Sequence, residues 1–134
     1  MFYKKIITNK DNIFIGPCVV ERDVFEDSRG IFFESWNKKE FQNKLNINSD
    51  FVQDNISKSS KGVLRGLHYQ LEPKSQGKLI LCNNGSIYDV IVDLRVNSNT
   101  FGEWGFAYLN TKNNSQIWVP SGFAHGFLAL ENET

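Results

Sequence analysis

The sequence predicts an all-β chain, an antiparallel β-sandwich or jelly roll with one short helix. Apolar residues fall in short runs that mostly alternate with polar ones, the period of a strand with one buried face. Polar clusters punctuate the runs at Asp27-Ser28-Arg29-Gly30, Ser59-Ser60-Lys61-Gly62 and Asn110–Asn114. Only one stretch reads as a helix, and roughly nine short strands beside one helix suit a sandwich or jelly roll. Neither linker, repeat nor low-complexity tract divides the 134 residues, so they are expected to form one domain with a single core.

In chain order, the first strands are expected at Val19–Val24 and Ile31–Glu34. The helix follows: Asn37 caps it, Glu40 stands three residues on as in a capping box, and Phe41 with Leu45 makes an i,i+4 apolar pair. Strands are then expected at Phe51–Ser57 and Val63–Leu71. Lys78–Cys82 leads through Asn83-Asn84-Gly85-Ser86 into Ile87–Leu94, and Asn-Gly supplies the positive φ angles of a tight hairpin. In that second strand Tyr88, Val90, Val92 and Leu94 share one face and Ile87, Asp89, Ile91 and Asp93 the other. Gly105–Leu109, Gln116–Val119 and Ala124–Leu130 complete the set. Aromatic residues make up 13%, eleven of them Phe, which suits a jelly roll enclosing a small-molecule cavity.

Lys plus Arg is 15 and Asp plus Glu is 15, so no general electrostatic case exists for a nucleic-acid or anionic-membrane partner. Hydrophobic residues at 40% against 22% charged are globular proportions. Two cysteines, Cys18 and Cys82, are too few for a secreted disulfide framework and are expected to be buried thiols. The N-terminal MFYKKIITNKDN lacks the apolar stretch of a signal peptide, and no apolar run is long enough to span a bilayer. A soluble, cytoplasmic domain is expected, and the Asn-x-Ser/Thr triplets at Asn55, Asn84, Asn113 and Asn132 are read as chance.

The chain contains no G-x-G-x-x-G, C-x-x-C or G-x-S-x-G. Its two histidines both lie in strand-like segments: His68 in Leu64–Gln70 and His125 in Pro120–Phe127. A strand histidine is usually a satisfied core or surface residue, but an imidazole beside Arg65 and Gln70 also has the makings of a general base near neutral pH. Metal binding is disfavoured, because Gln70 stands where a His-x-His pair would place its second ligand; a mixed site with Asp89 or Asp93 is the weaker option. Arg65 sits in an otherwise apolar strand, where a guanidinium needs an anion from the chain or a ligand. Strict alternation places Arg65 and His68 on opposite faces unless Gly66 hosts a bulge that resets the parity.

These residues belong to a wider set of blocks: Asp27-Ser28-Arg29-Gly30 followed by Phe33-Glu34, Phe51-Val52-Gln53-Asp54-Asn55, Gly62–Gln70 (GVLRGLHYQ) and Gln76-Gly77-Lys78. Asp89–Arg95 (DVIVDLR), Thr100-Phe101-Gly102 and Pro120–Leu128 (PSGFAHGFL) follow in order. From about Val20 to Leu130 the chain resembles the dTDP-4-dehydrorhamnose 3,5-epimerases, cupin-type jelly rolls of deoxysugar biosynthesis. The resemblance implies conversion of dTDP-4-dehydro-6-deoxy-D-glucose to dTDP-4-dehydro-L-rhamnose, by deprotonation and reprotonation at C3 and C5, with rhamnose for surface polysaccharide as the default product. By the family pattern His68 is the base, while Arg65, Lys78 and His125 line the substrate pocket. Arg29 and Glu34 correspond to nucleotide contacts, which tend to come from the partner subunit, and Gln53, Asp54 and Asn55 to a further substrate-binding block. No cofactor or metal is implied, because a proton next to an existing ketone needs neither.

The pattern departs at the C-terminus. In the family, the tyrosine that serves as general acid and the carboxylate that partners the base lie beyond the His-Gly-Phe block, whereas this chain's last residue is Thr134. The domain is therefore expected to lack the family's C-terminal portion, and Tyr69, Tyr88 and Tyr108 are read as packing residues. Asp89 reads at least as well as an ordinary strand carboxylate as it does as a group orienting a histidine from a neighbouring strand. Alternatives are an epimerase acting at C3 or C5 alone and a catalytically impaired or non-catalytic homologue that binds a dTDP-sugar or only dimerises. A 3,4-ketoisomerase on the same fold ranks last, since Gln70 denies it the His-x-His pair those enzymes tend to carry. An exposed sheet edge and the resemblance together predict a homodimer with shared active sites.

Overall fold

The computed structural model describes all residues, Met1–Thr134. Its elements are β1 (Phe2–Ile7), β2 (Ile13–Glu21), β3 (Phe25–Asp27), β4 (Gly30–Phe32), α1 (Lys38–Leu45), β5 (Leu64–His68), β6 (Lys78–Leu81), β7 (Ser86–Asp93), β8 (Trp104–Asn110), β9 (Ser115–Val119) and β10 (Phe123–Ala129). Two four-stranded antiparallel sheets, ordered β1-β2-β9-β6 and β5-β10-β7-β8, make the expected sandwich, and β3-β4 forms a separate two-stranded hairpin. Ile6, Phe14, Ile87, Ile91, Leu109, Ile117, Val119 and Phe123 form the core between the two large sheets. No helix is long and apolar enough to cross a membrane.

The helix forms as its sequence directs. Asn37 is extended and its side chain accepts from the Glu40 amide, while Asn46 ends the helix in the left-handed region. Phe41 is fully buried on the outer face of the first sheet with Val20, Ile47 and Trp118, a placement that contributes about 2–3 kcal/mol. In β7 the alternation holds: Ile87, Asp89, Ile91 and Asp93 are buried and face inward. On the other face Val92 pairs with Trp104, Val90 with Phe106 and Tyr88 with Tyr108. Tyr88 stacks on Phe106 at 4.7 Å, and Trp104, Phe106 and Tyr108 remain half-exposed.

Two expectations need correction. Phe51–Ser57 is not a strand: it runs without a ladder partner, Phe51 packing edge-on against Trp36 and Trp118 while Val52 and Ile56 stay exposed. Its apolar pattern supplies a face but no neighbouring strand supplies hydrogen bonds. The Asn83–Ser86 turn does not close a hairpin either. Gly85 has the anticipated positive φ of 70°, but β6 pairs with β9 and β7 with β10 and β8, so the turn carries the chain from one sheet to the other. Glu131–Thr134 folds back over it, with Ser86 donating to Glu131 at 2.6 Å and the Asn84 amide donating to the Glu133 carbonyl at 2.9 Å. β1 and β3 are further additions, and β2 starts six residues earlier than Val19, at Ile13.

The sandwich has a sealed side and an open side. Where β1 meets β8, the Asn9 amide donates to the Trp104 carbonyl at 2.8 Å, and Thr8 donates to the buried Glu103 carboxylate at 2.6 Å. On the opposite side the edge strands are β6 of one sheet and β5 of the other, and every residue of β5 is exposed.

Candidate active site

The open side gathers the charged residues. On β10, Phe123 belongs to the core and Phe127 packs against it, so His125 between them also faces inward. Directly across the ladder from β10, His68 pairs with His125 and Arg65 with Phe127. Residues paired this way share a face, so His68 and Arg65 lie on the inner side together. Three steps on β5 oppose two on β10, which is the bulge at Gly66 that the parity required. Gly66 has φ 119°, and a Cβ there would lie 2.6 Å from Gly126 Cα; one on Gly126 would lie 2.6 Å from the Arg65 carbonyl oxygen. The strands approach this closely because neither position carries a side chain.

The facing sheet adds Lys78. It pairs with Val119 and lies two residues from Ile80, which packs on the core, so it too points between the sheets. Burial lowers its pKa, opposed by the charge of Asp89. Asp89, on β7 beside Phe127 in the register, is fully buried, with neither carboxylate oxygen in a hydrogen bond. Its Oδ2 lies 3.5 Å from His125 Nδ1, which is equally without a hydrogen-bond partner. Burial raises the Asp89 pKa, and His125 and Lys78 pull it part of the way back. Arg65 turns toward the preceding loop, where Nε donates to the buried Ser59 hydroxyl at 3.0 Å.

Of the nine residues singled out in the sequence, the structure brings four to this mouth: Arg65, His68, Lys78 and His125. The other five lie apart from them in hydrogen bonding. Arg29 stands at the tip of the β3–β4 hairpin, largely exposed and paired with Asp27 at 2.6 Å. Glu34 follows that hairpin and accepts from Asn37 at 3.2 Å. Gln53, Asp54 and Asn55 lie on the unpaired segment, where Gln53 donates to Asn55 at 3.0 Å. None of these five has a hydrogen bond or ion pair to the four at the mouth. A fifth group joins these four: Asp89, which the sequence leaves open between an ordinary strand carboxylate and a group orienting a neighbouring histidine. Its inward phase with Ile87 and Ile91 was the available signal.

A β-sandwich whose open edge presents two imidazoles, a lysine and an arginine around a buried carboxylate has the form of a cupin-like jelly roll. The sequence profile described as dTDP-4-dehydrorhamnose 3,5-epimerase matches residues 13–134. An enzyme of that name from Shigella flexneri is 54% identical over 115 residues, covering 86% of this chain and 64% of the relative. The crystal structure of a dTDP-4-dehydrorhamnose 3,5-epimerase from Bacillus anthracis with TDP and PPi bound superposes with TM-score 0.85 at 45% identity, over 98% of this chain and 73% of that one. A Legionella pneumophila epimerase in complex with dTDP-4-keto-L-rhamnose does so with TM-score 0.85 at 44% identity, over 97% and 66%. This chain belongs to the dTDP-4-dehydrorhamnose 3,5-epimerase family, a family of isomerases. It spans about three fifths of the length of the curated relatives it matches.

Proposed function

We propose that the chain is the sugar-nucleotide epimerase its family membership indicates, acting on dTDP-4-dehydro-6-deoxy-D-glucose by removing and returning protons at C3 and C5. The observation that carries this is the convergence of His68, Arg65, Lys78 and His125 on the inner faces of two sheets at one open edge. A C–H next to a ketone becomes acidic only if the charge moving onto the ketone oxygen is stabilised. Lys78 and His125 are cationic or donor groups at fixed positions beside His68, which is placed to act as base. Arg65 offers a planar fork to the diphosphate. No cofactor enters this scheme, since the ketone itself is the electron sink.

Within the same proposal, none of Tyr69, Tyr88 and Tyr108 serves as the proton-returning acid. Tyr88 and Tyr108 sit on the outer face of their sheet, away from the mouth, and Tyr69 is exposed just past β5. A second reading is exchange at one carbon alone, or reprotonation by water with loss of stereochemical control. The homodimer with shared sites belongs to the proposal too. In its support, Arg29 is carried on a hairpin whose Phe25, Ile31 and Phe32 are exposed, and Trp104, Phe106 and Tyr108 line an apolar sheet face. We place the protein in the cytoplasm, where sugar nucleotides are made.

Proton NMR of the substrate in heavy water with the chain tests the proposal. Loss of both the C3 and C5 signals, abolished in His68→Asn, is expected. Loss at one carbon supports the second reading. Binding without loss makes the chain a dTDP-sugar-binding homologue. A monomeric mass by light scattering at micromolar concentration would sink the dimer, and with it a role for Arg29 and Glu34 across an interface.

A further inference from the structure

Asp89 is the group at this mouth to which the proposed proton transfers give no role. A fully buried carboxylate normally accepts several hydrogen bonds, because leaving the charge unpaired in a low-dielectric interior is costly. Asp89 accepts none at normal distance, yet it lies in the inner row of β7 between Ile87 and Ile91, where an aliphatic residue would pack well. What it faces is specific. His125 Nδ1 stands 3.5 Å from Oδ2, buried and with no other acceptor, and Lys78 acts on it through space from the facing sheet. The remaining charged groups at the mouth, His68 and Arg65, lie one strand further out, across β10.

A neutral imidazole carries one proton and holds one lone pair, and the partner of one nitrogen decides the role of the other. We infer that Asp89 is a positioning residue: it fixes the Nδ1 proton of His125 inward, so that Nε2 faces the mouth beside His68 as the atom presented to the sugar. When the ring is neutral, Nε2 is then an acceptor for a sugar hydroxyl or a bound proton. When it is doubly protonated, Asp89 compensates the charge and Nε2 donates to the ketone oxygen as negative charge develops there. A carboxylate behind a histidine serves other enzymes in this way. The catalytic use of that nitrogen rests on the epimerase proposal; the tautomer does not.

The test is nitrogen-15 NMR of the full chain without ligand. With only two histidines, His125→Gln assigns the spectrum. Above the range where the ring titrates, His125 is expected as the Nδ1–H tautomer, the rarer form of free imidazole. In Asp89→Asn, the side-chain amide can donate to Nδ1 and drive the ring to the Nε2–H form. Substrate proton exchange should then fall about 10- to 100-fold in kcat with KM nearly unchanged, the usual scale for a group supporting a functional histidine. An Nε2–H tautomer in the unmodified chain overturns the inference with no variant needed. So does an Asp89→Asn chain whose tautomer inverts while exchange continues at the original rate. If the unmodified chain exchanges no sugar proton but shows the Nδ1–H tautomer, the positioning of His125 stands and the epimerase proposal falls.

Discussion

Two aspartates on β7 occupy equivalent places and lead opposite lives. Asp89 and Asp93 lie on the same inward face, and both are fully buried. Asp93 accepts from the Arg95 amide, Nε and Nη2, from Ser98 and from Thr100, all between 2.6 and 2.9 Å. Arg95 in turn covers the Phe123 ring at 4.3 Å and donates to the Ile15 carbonyl, so this cluster ties the end of β7 to the other sheet. Asp89, four residues back, has only the long approach of His125. A buried carboxylate with its lone pairs filled stabilises a fold. One left open costs stability and is retained where a ligand or a proton uses it. On the function proposed above, the difference separates the end of the sheet that holds the molecule together from the part that acts.

The largest effect expected from this contrast is at Asp93. Asp93→Ala should cost about 3–5 kcal/mol in urea unfolding, because it leaves Arg95 and two hydroxyls without their acceptor. The pH dependences of the two aspartates should run in opposite directions. Burial alone would raise the Asp93 pKa, but its hydrogen bonds hold it far below the ordinary carboxylate range. Its contribution is therefore complete above the unfolded value, about pH 4, and is lost as pH falls toward the folded one. Asp89 has a raised pKa, so the cost of its charge is present above that value and lapses as pH falls through it. Asp93→Ala should accordingly flatten the acid limb of the stability curve. A variant that unfolds in acid as the unmodified chain does would show that the cluster is not its stabilising element.

Much of this was legible in the sequence, and the gaps share one cause. The β7 alternation, the Asn37 cap and the Phe41–Leu45 pair are local patterns, and all appear as read. Pairing partners are not local. Asn84-Gly85 fixes a turn's backbone but not whether its flanking strands belong to one sheet, and Phe51–Ser57 has strand-like composition without a neighbour to bond. β1 was missed because FYKKII places two lysines where a clean alternation would have marked it. In the site, the Gly66 condition for joining Arg65 and His68 could be stated from parity alone. Gly126 as the reason the strands come close enough required the ladder.

That glycine pair supplies the intermediate effect. Gly126→Ala puts a methyl against the Arg65 carbonyl and Gly66 Cα, both backbone atoms with no side-chain freedom to yield. A cost of about 1–3 kcal/mol is expected. Because the strain falls on the β5 bulge, substrate exchange should drop more than stability does. Asp93→Ala should show the reverse ordering, with lost stability and near-normal exchange per folded molecule. If Gly126→Ala loses stability and exchange in the same proportion as Asp93→Ala, the division between a holding end and an acting part of the sheet fails.

The smallest change in stability is expected at Asp89, and its sign is the most informative. Asparagine is nearly isosteric with aspartate, so Asp89→Asn leaves packing against Ile87 and Ile91 unaltered while removing a buried charge that no hydrogen bond satisfies. The thermal midpoint should hold or rise, by an amount equivalent to no more than about 1 kcal/mol. A structural carboxylate behaves otherwise: removing it strands its donors and the protein loses stability, as at Asp93. A fall of several kcal/mol in Asp89→Asn would mean that His125 or Lys78 depends on this charge to stay folded inward, and the two aspartates would then be two versions of one device. A midpoint that holds while exchange declines would leave Asp89 as a group kept against the interest of the fold.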